Sequence, residues 1–151
     1  EDVAYGFEQA VVRFGALGTL TTNEFAHVDN FISGATWLTD GKPRGAMSAK
    51  PDRGPLAPRT FVGARNGEFL VVMTSDGRQP GVSDGLDYAE GAELLRQFGC
   101  EDGFFLDGGG STTLCVAGYG DSSTHVVNYP CDNGKKDHAG ERTVQTFFYI
   151  K

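Results

Sequence analysis

Residues 87–111, DYAEGAELLRQFGCEDGFFLDGGGS, hold the reading that decides the fold. Asp87 is a good N-cap and Glu90, three positions on, completes a capping box, so the stretch predicts a helix over 88–98. Leu94, Leu95 and Phe98 supply its apolar side, and Gly99 stands where a C′ glycine belongs. The run 103–106 (GFFL) is wholly apolar and too short for a helix, which is the signature of a central buried strand. It ends at Asp107, followed by Gly108, Gly109, Gly110 and Ser111.

Upstream lies a hairpin. Residues 59–65 (RTFVGAR) and 68–75 (EFLVVMTS) are β-branched and aromatic runs separated by Asn66-Gly67, the pair that suits a two-residue type I′ turn. Residues 31–38 (FISGATWL) read as a strand ending in the turn Thr39-Asp40-Gly41. The segment 41–58 holds four prolines and no apolar period, so it reads as a loop. Its Lys42, Arg44, Lys50 and Arg53 make it the one basic stretch, either a solvated surface loop or a mobile flap over an anionic ligand. Residues 112–116, 124–127 and 143–150 are β-rich and are expected as further strands. Residues 1–29 are weakly patterned, with a short apolar run at 10–14. The fold class expected is α+β (mixed α/β): a central mixed β-sheet with one main helix.

Composition narrows the functions. The 151 residues suffice for one domain with a real core. Thirteen basic against twenty acidic residues leave a net charge of −7, which argues against nucleic acid or an anionic membrane as partner. No apolar run approaches a membrane span. The 22 glycines, about twice the usual share, cluster with Asp, Asn and Ser as in tight turns. The chain opens at Glu1 without a leader-like region, as expected of a mature, processed or excised piece. Cys100, Cys115 and Cys131 lack CxxC spacing and His27, His125 and His138 lack HxxxH spacing, so no zinc site and no cofactor are expected. One disulfide plus an odd thiol, or bonding to another segment, stays open. No Asn-x-Ser/Thr acceptor is present.

The candidate chemistry sits at strand ends. Asp107 is placed where open sheets hold ligands, and three glycines let backbone N–H groups turn toward an anion. The loop is no Walker motif and no dinucleotide fingerprint, since GxxxxGK and a following helix are both absent. Asp76-Gly77-Arg78 follows one strand, Arg59-Thr60 begins another, and Arg142 opens the last expected one. Arginine offers a two-pronged fork to phosphate. Each residue alone also fits a turn or a surface ion pair.

In order, Arg59-Thr60-Phe61-Val62-Gly63, Asp76 through Gly85, the capped helix, Leu106 through Thr112, and Asn128-Tyr129-Pro130 with Glu141-Arg142 resemble the phosphodiester glycosidase family. The resemblance covers about 31–151, as the C-terminal part of the family domain, and leaves 1–30 without an assigned role. It implies hydrolysis of a sugar-1-phosphodiester, such as an N-acetylglucosamine-1-phosphodiester, to free sugar and phosphomonoester. The residues implied are Asp107 and Asp76 as catalytic carboxylates. Arg59, Thr60, Arg78, Gly108, Gly109, Gly110, Ser111 and Arg142 are implied as substrate ligands, with no metal. Arg59 and Arg142 are the expected phosphate ligands, and Asp107 the carboxylate nearest the anomeric carbon. The chain departs from the family in lacking an N-terminal Asn-Gly-x-Phe-like block. That departure and the odd cysteine motivate a competing reading: a non-catalytic family member, glycan-binding or structural at a surface or in a filament. The partners expected are a sugar-phosphodiester or glycan, and a second copy or a separate N-terminal segment. The resemblance also implies a secreted, extracellular or lumenal protein.

Overall fold

The computed structural model describes residues 3–7, 10–14, 34–43, 53–66 and 68–150, the first two stretches as backbone. Those two are β1 (Val3–Phe7) and β2 (Ala10–Phe14), an antiparallel pair with Val3 opposite Phe14.

The main sheet has five strands in the order β4-β3-β7-β5-β6. These are β3 (Ala35–Thr39), β4 (Lys42–Pro43), β5 (Arg59–Arg65), β6 (Phe69–Ser75) and β7 (Asp102–Phe105). The α+β class holds, and every described strand pair is antiparallel. The expected hairpin is β5–β6, with Arg59 opposite Ser75 and Arg65 opposite Phe69. Asn66 turns it with φ of 55°, a left-handed conformation that Asn tolerates. The apolar run 103–106 is the middle strand β7, held between β3 and β5. Of the strand expected over 31–38, residues 31–33 lie outside the described residues. So do Arg44 and Lys50 of the flap reading.

The helix α1 (Tyr88–Gln97) starts at the capping box, with Glu90 N–H donating to Asp87 Oδ1 at 2.8 Å and Asp87 N–H to Glu90 Oε2 at 2.9 Å. It stops at Gly99, φ 82°, where Gly99 N–H reaches Arg96 O and Cys100 N–H reaches Leu95 O, a Schellman closure. Its buried face lies on Leu38, Phe61 and Phe105 through Leu95, and Cys100, just beyond its end, joins the same cluster. Gly63 and Gly103 face each other across β5 and β7, and any Cβ there would meet Cys100 Sγ or Leu95 Cδ1. The missing side chains let α1 sit close to the sheet. Val62 and Ala64 face the other way, against Leu70, Phe104 and Leu106, so β5 is buried on both sides.

Downstream the strand expectations fail. Residues 112–116 and 124–127 meet only at the isolated bridge Cys115–Val126, and 143–150 form no strand. β-branched composition suits a strand but supplies no hydrogen-bonding neighbour, and these segments have none to extend. Cys100, Cys115 and Cys131 are free thiols, so no disulfide joins them here.

Candidate active site

Antiparallel pairing gathers the predicted residues at one end of the sheet. Arg59 opposite Ser75 and Phe61 opposite Phe105 put the start of β5 and the ends of β6 and β7 on the same edge. Arg59 and Thr60 enter the sheet there, while Asp76 and Asp107 leave it. In a parallel sheet only carboxyl ends would meet; here an amino end contributes two of the candidates. Leu106 N–H donates to Thr60 O at 3.0 Å and Gly109 N–H to Pro58 O at 2.8 Å, which fixes the loop after β7 against the start of β5.

Two of the three glycines accommodate a charged side chain, and the third a backbone carbonyl. A Cβ at Gly108 would lie 2.7 Å from Pro58 O, with Arg59 Cδ at an ordinary contact distance of 3.4 Å, and one at Gly109 would lie 2.8 Å from Arg78 Nη1. One at Gly110 would collide with the Asp132 carboxylate, which in turn grips Arg142. Gly109 also has φ of 62°. Three arginines are thus arrayed along five residues of loop.

Their states differ. Arg59 is buried, its Nη2 donating to Pro55 O at 2.7 Å and its Nε to Leu86 O at 3.4 Å. Its guanidinium carbon lies 3.9 Å from the centre of the Tyr88 ring, which stacks on Phe105. Among the described residues no carboxylate neutralises it. Arg78 is exposed, held at φ of 54°, and likewise has no carboxylate partner among the described residues. Arg142 is paired at two points with Asp132, Nε to Oδ2 at 2.6 Å and Nη2 to Oδ1 at 3.0 Å. That pairing raises the guanidinium pKa above its ordinary value, with a smaller contribution from the nearby charge of Asp107.

Asp107 is exposed, and its Oδ1 accepts from Gly108 N–H at 2.9 Å. The glycine loop itself is a 3-10 turn (Gly109–Ser111) rather than an open nest. Ser111 and Thr112 N–H groups donate to Gly108 O and Gly109 O. Within the loop, Gly110 N–H is left without a protein acceptor among the described residues.

Asp76 is differently placed. Its Oδ1 accepts from Tyr129 N–H at 2.9 Å and Asn128 Nδ2 at 3.2 Å. Asn128 is buried and also donates to Thr112 O and accepts from Leu114 N–H. This network ties Asp76 to the segment after the glycine loop. Sequence reasoning singled out neither Asn128 nor Asp132 as a site residue. Asn128 was visible only within the Asn128-Tyr129-Pro130 block, and Asp132 carried no signal. Thr60 contributes its backbone carbonyl, and Ser111 closes the turn. Among the described residues, no three His, Cys, Asp or Glu side chains converge as metal ligands would.

The family model described as phosphodiester glycosidase matches residues 4–151. The chain belongs to the phosphodiester glycosidase family. A relative, the SPbeta prophage-derived uncharacterized protein YomE of Bacillus subtilis (strain 168), is 36% identical over 91 residues, which are 60% of this chain and 14% of YomE. Among solved structures, the fold resembles the zebrafish N-acetylglucosamine-1-phosphodiester alpha-N-acetylglucosaminidase catalytic domain, auto-inhibited by its pro-peptide. The TM-score is 0.55 and identity 21%, over 73% of this chain and 38% of that one. The phosphodiester glycosidase chain described here therefore spans well under half the length of either protein.

Proposed function

We propose that this protein hydrolyses the bond between the anomeric carbon of a sugar and a phosphodiester, N-acetylglucosamine-1-phosphodiester being the reference substrate. The observation that carries the reading is the array of Arg59, Arg78 and Arg142 along the Asp107–Ser111 loop, two of them without a carboxylate partner. A guanidinium left unneutralised beside a backbone N–H is suited to an anion, and a departing phosphate is one.

In this reading Arg59, Arg78 and Gly110 N–H hold the phosphate and stabilise its charge as the C–O bond breaks. Asp107, exposed and next to that charge, faces the oxocarbenium-like carbon as nucleophile or as base toward water. Water supplies the hydroxyl of the freed sugar, and the bridging oxygen leaves with the phosphomonoester. Asp76 supports the site from behind, since one of its oxygens is committed to Asn128 and Tyr129. The setting we propose is secreted or lumenal, as the family resemblance implies.

The test is incubation of purified protein with an N-acetylglucosamine-1-phosphodiester and, separately, with a sugar-free aryl phosphodiester. Release of free sugar from the first, with the second untouched, supports the reading. Glycan binding without turnover supports the non-catalytic alternative instead.

A further inference from the structure

The two edges of the main sheet are unequally protected. β4 is two residues long and consists of Lys42 and Pro43, the kind of edge that resists further pairing. β6 is seven residues long, FLVVMTS, with half-buried side chains along most of its length and Phe69 half exposed. Among the described residues β5 is its one strand partner. An apolar edge of that length is a template for strand addition.

A second unsatisfied segment lies elsewhere in the chain. Val144, Phe147, Phe148, Tyr149 and Ile150 are all exposed, Phe147 at 80% and Ile150 at 70%. Phe147 and Tyr149 have ring centres 6.0 Å apart. Residues 143–150 are strand-like in composition, yet no backbone hydrogen bond among the described residues holds them to any strand. Four consecutive large apolar side chains in water are costly while burial is denied them.

The two segments match. In an antiparallel register placing Val71 opposite Phe148, the apolar residues 69–72 face 147–150, and Thr74 faces Gln145. Glu68 then stands opposite Lys151, charge against charge. We infer that the outer edge of β6 is a strand-addition site occupied by residues 143–151 of a second copy of this chain. Exchange is reciprocal: each copy carries one β6 edge and one tail, so a two-fold dimer covers both β6 edges. This inference is independent of the hydrolytic reading, since neither segment belongs to the site.

Sedimentation analysis over a concentration series tests it. The protein should be dimeric, and Phe148→Asp should make it monomeric. Glu68→Lys and Lys151→Glu should each weaken the dimer several-fold, and the two together should restore it. A monomer at every concentration overturns the inference, including one whose 143–151 amides are protected from exchange by pairing within their own chain. So does a dimer indifferent to all three substitutions.

Discussion

Asp132 holds Arg142 by two hydrogen bonds, of 2.6 and 3.0 Å, while its own carboxylate packs where a side chain at Gly110 would otherwise be. Arg142 is therefore aimed by a residue ten positions away and positioned by the absence of a Cβ on the glycine loop. Asp132→Ala should cost under about 1 kcal/mol of stability, because the pair is half exposed. It should nonetheless raise KM for a sugar-1-phosphodiester about tenfold, the scale of one misplaced charged hydrogen bond. Unchanged KM would remove Arg142 from the site.

Asp76 and Asp107 should separate in stability measurements. Asp76→Ala leaves Tyr129 N–H without its acceptor and takes a partner from the buried Asn128, a loss of about 1–3 kcal/mol. Asp107→Ala removes an exposed carboxylate whose described bond is to its neighbour's N–H, and should change stability by less than about 0.5 kcal/mol. Equal losses in urea denaturation would contradict the division between a supporting and a reacting carboxylate.

The helix cap predicts a pH dependence. Burial pushes the Asp87 carboxyl up, but hydrogen bonds from Arg53 and from the N–H groups of Glu90 and Ala89 outweigh it and hold the group below its ordinary 3.8. A folded-state pKa below the unfolded one means the stabilisation is fully present above about pH 4 and is lost as pH falls further. Asp87→Ala should therefore lower stability by about 1 kcal/mol near neutral pH, or roughly 2–4 °C in Tm. The gap to the parent protein should narrow in acid. A gap that widens below pH 4 would contradict the account.

Gly91 sets two effects against each other. Alanine favours a helix interior over glycine by about 1 kcal/mol. Here the added Cβ would collide with the ring of Phe61, which is fully buried and has no room to yield. Overpacking of that kind costs about 1–3 kcal/mol, so Gly91→Ala should destabilise on balance. A stabilised variant would show that the packing of α1 on β5 is looser than described.

What was legible in the sequence was local. Asn66-Gly67, the Asp87–Glu90 box and the apolar run ending at Leu106 each encode their structure within a few residues, and each appears as expected. The strands expected over 112–116, 124–127 and 143–150 do not, because strand propensity cannot specify a partner. The site was half visible. Asp76, Arg78 and Asp107 stand beside glycines after strands, and Arg59 opens one, patterns that sequence displays. Asn128 bonds to Asp76 across 52 positions, and Asp132 reads on paper as an ordinary turn residue. Nor did three glycines in a row reveal that one N–H is spent on the Pro58 carbonyl and another on the Asp107 carboxylate, or that two of the glycines let charged side chains close in.

Turnover of an N-acetylglucosamine-1-phosphodiester by Asp107→Asn, beside the parent protein and with folding verified by circular dichroism, bears most directly on the whole account. The amide keeps the shape and the contact with Gly108 but removes the negative charge, so sugar release should fall by about 100-fold or more while the thermal transition stays in place. A folded variant that releases sugar at the parental rate would contradict it.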